Sequence, residues 1–425
     1  MSSHVVKSGD TLTGIASKYL GSASKWTKVR DANPMLASRK SASDGSPLIY
    51  PGDVLIIPED FVQPENTVSK VPVKLDSDSA EDISILINGK LYTGFTGYRL
   101  VFNCDSMDAF SFNAPWDDSK KELHEAFKPF RFSRCVVYYD KKIVFAGTLL
   151  TSAPEVSPDS KTINIQGYPL CGVLNDCCIP ATKYPPSYNG LNLKQIANDV
   201  VSSFGLEADF DSLPGDNFET VEYDPSKKIL EFLKGLAEQR GFLFTNTTQG
   251  MLKFWKPAIE AVTATFKEGE LPFISCKPTF NAQSMYSHIT GYSKTDVKTD
   301  AGSYTYQNMY LIKKGIFRPY SFTSKDADAM SIENETKAEA GKMFAGCMSY
   351  QITVTGHKDK FGNLYHKNMS VSVYAPGAMI YRETKFQVEK VELIRSDTEG
   401  NQAVLSLILP GSRNGKLPEV LPWEE

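Results

Sequence analysis

The sequence predicts a multidomain, mainly β protein with α+β parts: an N-terminal βααβ module, then two small β-barrels with an α/β insert between them. Three observations carry this expectation. The chain has 425 residues, too many for one compact core, so three or four domains are expected. Its first sixty residues read as strand, helix, helix and strand. Beyond residue 82, runs of short alternating strands give way to helical periodicity and then resume. With 41% hydrophobic and 23% charged residues, the chain has the balance of an ordinary globular protein.

The N-terminal module opens with Val5-Val6-Lys7-Ser8-Gly9-Asp10-Thr11-Leu12-Thr13-Gly14-Ile15-Ala16. Ser8-Gly9-Asp10 makes a turn, and Asp10 or Thr11 can cap the following helix. Leu12, Ile15, Ala16 and Tyr19 recur at helical spacing and are expected to face a core. A second helix runs through Trp26 to Ala32 and ends at Asn33-Pro34, where proline blocks continuation. Leu48-Ile49-Tyr50-Pro51-Gly52-Asp53-Val54-Leu55-Ile56-Ile57-Pro58 then supplies a turn and a closing strand. The module is assigned to residues 1–60. Residues 61–82, with Pro64, Pro72 and several Ser and Asp, have the composition of a linker.

Residues 83–178 are expected to form the first barrel. Asn88-Gly89 between two alternating strands is a strong hairpin signal, and further strands are expected at Tyr98–Cys104, Ala109–Ala114, Cys135–Tyr139, Ile143–Thr151 and Thr162–Gly167. Short strands joined by tight turns suit a closed barrel, which hides its edges. In the insert, residues 179–260, the period becomes helical. Leu193, Ile196, Ala197, Val200 and Val201 form one apolar face. Ile229, Leu230, Phe232, Leu233, Leu236 and Ala237 form another, opened by Asp224-Pro225-Ser226 and closed by Arg240-Gly241. Strands resume in residues 261–415, the second barrel, with a helix expected over Ala327–Met343. Residues 416–425 are left as a C-terminal tail.

Composition and motifs argue against several classes of function. Net charge is −4 with both signs mixed, unlike a nucleic-acid surface, which needs clustered Lys and Arg. No apolar run nears the ~20 residues that span a bilayer. Met1-Ser2-Ser3-His4 lacks the features of a secretory signal, so folding in a cytoplasm is expected. Seven cysteines without CxxC spacing suggest buried thiols, with Cys177-Cys178 incidental for want of a nearby base. Five histidines without HxxxH pairing predict no zinc site. Neither GxSxG nor HExxH occurs. The carboxylate pairs Glu81-Asp82 and Asp117-Asp118 lie in linker or loop sequence, where solvated acidic turns are commonplace. Catalysis, a metal and a cofactor are therefore not expected.

VKSGDTLTGIASKY, Asn33-Pro34 and the close YPGDVLIIP resemble a LysM domain. That resemblance implies a glycan groove made of Gly9, Asp10, Thr11, Leu12 and Thr13 opposite Leu48, Ile49, Tyr50, Pro51 and Gly52. The same residues also supply the turn, cap and core of the module itself, and a protein-contact role is the favoured reading. The order barrel, insert, barrel resembles the baseplate hubs of contractile tails: the Mu-like tail hub, the late-control-D proteins, and the hub half of type VI secretion spikes. The local matches are ISILINGKLYTGFTGYRL, then NLKQIANDVVSSFGLE before DPSKKILEFLKGLAEQRGFLFTNTTQGMLKF, and finally PGAMIYRETKFQVEKVELIRSDTEGNQAVLSLILP.

This second resemblance implies tube-like barrels and a homotrimeric ring that joins a sixfold tail tube to a threefold spike. Its partners would be the central spike protein, the tail tube protein and other baseplate proteins, with DNA only as passing cargo. The location would be the virion baseplate, assembled in the host cytoplasm. Peptidoglycan is a further candidate partner of the LysM domain. Two alternatives remain: a LysM-targeted peptidoglycan hydrolase, and a monomeric LysM adaptor of the tail.

Overall fold

The computed structural model describes residues 2–20, 23–36, 38–40, 46–57, 83–117, 119–184, 186–256, 258–293, 302–324, 329–414 and 420–424. The expected linker at 61–82 lies outside the described residues, as do Glu81, Asp82 and Asp118. The chain divides into two compact units, residues 1–71 and 72–425.

In the smaller unit, β1 (Ser2–Val5) and β2 (Val54–Ile57) pair antiparallel, with Val5 opposite Val54. Between them lie α1 (Leu12–Leu20) and α2 (Trp26–Asp31). Leu12, Ile15, Ala16 and Leu20 form the buried stripe of α1, and Leu55 and Ile57 are the inward half of β2. The expectation for Tyr19 is corrected. Spacings of seven and eight residues both suit a helical stripe, and Leu20 takes the core position. Tyr19 is 40% exposed, with its hydroxyl 3.0 Å from His4 Nδ1. Asn33 does more than end a helix. Its amide donates to the carbonyls of Val29 and Ile56, each at 2.7 Å, and its carbonyl accepts from Ile56 N at 2.8 Å.

The larger unit starts with β3 (Ile83–Ile87), β4 (Lys90–Tyr92), β5 (Gly97–Asn103) and β6 (Ala109–Pro115). After the short helix α3 (Lys121–Ala126) come β7 (Arg134–Tyr139), β8 (Lys142–Val156) and β9 (Lys161–Pro169). The turn Asn88-Gly89 has both φ values positive, at 50° and 80°, as a tight hairpin requires. Asp140-Lys141 does the same between β7 and β8, with φ of 46° and 63°.

The α/β part contains α4 (Val173–Asp176), β10 (Ser187–Leu191), α5 (Leu193–Ser202), β11 (Ala208–Phe210), β12 (Phe218–Glu222), α6 (Ile229–Gln239), β13 (Leu243–Asn246) and β14 (Leu252–Trp255). Both predicted apolar helix faces are buried in one core. Asn192 and Gln195 form a reciprocal cap at the start of α5, which satisfies two backbone donors that a helix start would otherwise leave open. Asp224 holds the turn at Ser226, and α6 begins five residues later.

The last third supplies β15 (Val262–Lys267), β16 (Phe273–Phe280), β17 (His288–Tyr292), β18 (Ser303–Gln307), α7 (Met309–Ile312), β19 (Pro319–Thr323), α8 (Ala329–Cys347), β20 (Met348–Thr355), β21 (Ser370–Ala375), β22 (Ile380–Ser396) and β23 (Gly400–Ile408). β17, β18 and β19 make a separate small sheet against which α8 lies. Gly291 permits that approach, because a Cβ there would stand 2.4 Å from Thr336 Oγ1.

Two closed barrels are not found. Among the described residues the strands form one open thirteen-stranded sheet: eleven run from β16 through β20, β23, β22, β5, β6, β9, β8, β7 and β3 to β4, and β21 and then β15 branch from β22. The long strand β22 is the physical reason. Ile380–Gln387 pairs with β21, while Lys390–Arg395 pairs with β5. Each half therefore offers strand edges to the other instead of closing on itself. One apolar core, from Ile83 to Leu421, lies under both halves.

Candidate functional site

No reaction centre is assembled among the described residues. The seven cysteines are free, and burial pushes the thiols of Cys104 and Cys276 up to about 12. Burial likewise raises Cys135, Cys171, Cys177 and Cys347. A thiol that holds its proton is a poor nucleophile. No group of three or more His, Cys, Asp or Glu stands ready for a metal among the described residues, and no described helix is long and apolar enough to cross a membrane. The features able to act are loops, edges and joints.

The first is the pair of loops at one end of the small β1–β2 sheet. Val6 N donates to Asp53 O at 2.8 Å and Gly52 N donates to Val6 O at 2.9 Å. This extension of the pairing brings the two predicted segments side by side. Gly9 and Gly52 turn the chain at φ of 91° and 96°. Asp10 accepts from Lys7 N at 2.8 Å and lies 2.8 Å from His4 Nε2. The Lys7 amide and then His4 hold its carboxyl below the usual carboxylate range. Thr11 Oγ1 caps α1 by accepting from Gly14 N at 3.0 Å.

Of the ten predicted residues, Gly9, Thr11, Tyr50, Pro51 and Gly52 are exposed, and Asp10, Thr13, Leu48 and Ile49 are half-buried. Leu12 sits in the core instead. Tyr50 is 56% exposed, with the Arg39 guanidinium 5.1 Å from its ring centre. Arg39 also grips Asp53 with two bonds, one of them at 3.0 Å, and Asp53 accepts from Tyr50 N at 2.8 Å. Sequence reasoning missed Arg39, Asp53 and His4, which position these loops. Only the alternation of His4 with Val6 on the inward face of the first strand signals one of them.

The second feature is the joint between the α/β part and the large sheet. Asp108, buried before β6, receives Lys367 Nζ at 2.9 and 3.0 Å, Asn103 N at 2.8 Å and Asn246 Nδ2 at 3.0 Å. Lys367 also donates to Thr245 Oγ1 at 2.5 Å, and Trp255 Nε1 donates to Cys104 O at 3.0 Å. Burial pushes the Asp108 carboxyl up, while the Lys367 ammonium and the Asn103 amide pull it back. Glu392, on β22, is held below its usual range: burial would raise it, but Lys390 and Arg99 more than compensate. The Arg99 bonds, at 2.9 and 2.5 Å, tie β5 to β22 across the two halves.

The third feature is two of the sheet's three end strands, β16 and β4. β16 pairs only with β20 and β4 only with β3 among the described residues. Ile274 and Phe280 of β16 are exposed, and Leu271 just before it is 86% exposed. An unpaired edge flanked by apolar side chains is a ready template for another strand.

Comparison with known proteins agrees with this layout. Residues 171–256 match the family model "Baseplate hub protein gp44-like, second domain", and residues 4–58 match the LysM domain model. No curated protein matches the chain. Among solved structures, the 43 kDa tail protein of prophage MuSo2 from Shewanella oneidensis is similar at 20% identity and a TM-score of 0.67, covering 78% of this chain and 99% of that one. The tail protein from Neisseria meningitidis MC58 is similar at 16% identity and 0.65, over 78% and 96%. Prophage tail protein gp18 from Listeria monocytogenes EGD-e follows at 14% and 0.53, over 77% and 94%. The chain thus shares the fold of these phage tail proteins, with residues 4–58 similar to the LysM domain and residues 171–256 similar to the second domain of gp44-like baseplate hub proteins.

Proposed function

We propose that this protein is the central hub of a contractile tail baseplate. Three copies form a ring that joins the sixfold tail tube to the threefold spike and lets DNA pass. The observation that carries this reading is the open sheet with unpaired end strands β4 and β16. A neighbour's strand on each edge would satisfy both and hide Leu271, Ile274 and Phe280. Each copy brings two strand-rich halves, residues 83–178 and 261–415, with the insert 179–260 between them. Three copies then supply six halves, which suits a sixfold tube. Such a hub is a virion component assembled in the host cytoplasm, with no catalytic step of its own.

For the LysM domain we propose docking onto another baseplate or tail protein through Gly9 to Thr13 and Leu48 to Gly52. The partly exposed Tyr50 beside Arg39 supports a contact role. Glycan binding at the same loops is the alternative that the LysM resemblance implies. Removing residues 1–57 separates them: docking predicts fewer complete baseplates, whereas wall binding predicts normal baseplates that have lost infectivity. The ring is tested by particle mass and imaging with and without the spike. Ile274→Asp should leave the fold intact and shift the ring toward monomer.

A further inference from the structure

A groove of about 570 Å³ runs along the insert between α6 and β12. Its lining includes the consecutive residues Thr220 to Asp224. Successive residues of a strand point to opposite faces, so a groove touched by all of them lies along the edge of β12 and not over one face. That edge is free: among the described residues β12 pairs only with β10, in a sheet of two strands. Two strands are marginal alone, and a third stabilises such a sheet.

The opposite wall is α6. Glu231, Gly235 and Gln239 recur every four residues there, so they form one ridge facing the groove. Glycine inside a helix costs stability relative to almost any other residue; here it leaves room for a backbone to lie against the helix. Gln239, only 6% exposed, completes that ridge and lines the groove. Its side-chain amide both donates and accepts, so it can hydrogen-bond a backbone laid in the groove. The rim is acidic: Glu222, Asp224 and Glu231 face the single base Lys227.

We propose that this groove takes an extended, lysine- or arginine-bearing segment of a partner protein, which adds to β12 as a third strand. Main-chain bonds to the β12 edge would give the affinity, and the acidic rim would select the charge.

The test uses the full-length protein and a fluorescent octapeptide that alternates lysine with valine, compared with its glutamate–valine counterpart, by anisotropy at low salt. The lysine peptide should bind about tenfold more tightly than the glutamate one, as a few partly exposed charge pairs allow. Its binding should also protect the amides of residues 218–222 from exchange. Gly235→Leu should weaken the lysine peptide about tenfold, by filling the space its backbone needs. Gln239→Leu should weaken it as well. Gly235→Leu should melt no lower than the parent, since glycine inside a helix is unfavourable. Loss of binding together with retained or raised stability is a pattern that a purely structural role would not give. Equal affinity for the two peptides, no binding of either, or unchanged binding by Gly235→Leu would each overturn the proposal.

Discussion

Lys367→Met should destabilise the larger unit by about 3 kcal/mol at neutral pH, the lower end of the range for breaking a buried ion pair. Lys367 holds both oxygens of Asp108 at 2.9 and 3.0 Å. Its loss leaves a carboxylate with 5% side-chain exposure and two remaining donors, Asn103 N and Asn246 Nδ2. Those two donors are why the lower end applies. The variant also acquires a pH dependence with a definite sign. Burial already pushes the Asp108 carboxyl above its ordinary value of 3.8, and without the ammonium it rises further. Folding then takes up a proton at any pH between the unfolded and the folded values. Stability falls as pH rises through that window, by about 1.4 kcal/mol per pH unit, and the deficit shrinks as pH drops toward 4. The assay is denaturant unfolding at a series of pH values, followed by the fluorescence of Trp255, which is bonded to the same joint. The double variant Asp108→Asn with Lys367→Met should recover most of the loss, because neither partner is then left charged. A Lys367→Met protein within 1 kcal/mol of the parent, with no pH slope, would refute the reasoning.

Three further outcomes follow from other parts of the molecule. Asn33→Ala should lower the stability of the LysM unit by about 2–3 kcal/mol, because it leaves buried groups of Val29 and Ile56 unpaired; a separate melt of residues 1–57 measures it. Arg39, then the Tyr50 amide, lower the Asp53 carboxyl below 3.8, so its contribution is fully present above about pH 4 and is lost as pH falls further. Asp53→Asn should therefore weaken the LysM unit at neutral pH and flatten its acid limb, as thermal melts from neutral to acid pH would record. Gly291→Ala should cost about 1–3 kcal/mol, since the new Cβ meets Thr336 of α8, and hydrogen exchange in β17 should accelerate.

Short-range physics made part of this fold legible in the sequence. The stripe Leu12, Ile15 and Ala16, the hairpin at Asn88-Gly89 and the two apolar helix faces of the insert each depend on residues within a few turns of one another. Strands of three to five residues such as β10, β11 and β12 were not legible, because so few residues set no period. The long-range pairings were not legible either. β22 divides its edge between β21 and β5, and nothing in its seventeen residues announces the switch. Arg99 meets Glu392 and Lys367 meets Asp108 across most of the chain, where spacing carries no information. The same limit applies to the LysM loops: Leu12 reads equally as groove or core from the sequence, and only packing assigns it to the core. Arg39 and Asp53, fourteen residues apart, declare their pairing only once the loop between them is closed.

The hub reading is tested most directly by light scattering on the full-length chain, purified alone and again with the spike protein co-expressed, with the same samples imaged. A ring of three copies of the 47.1 kDa chain, present in at least the spike-bound sample, is the predicted result. A monomer under both conditions would contradict it and leave an adaptor or a cell-wall enzyme to be tested next.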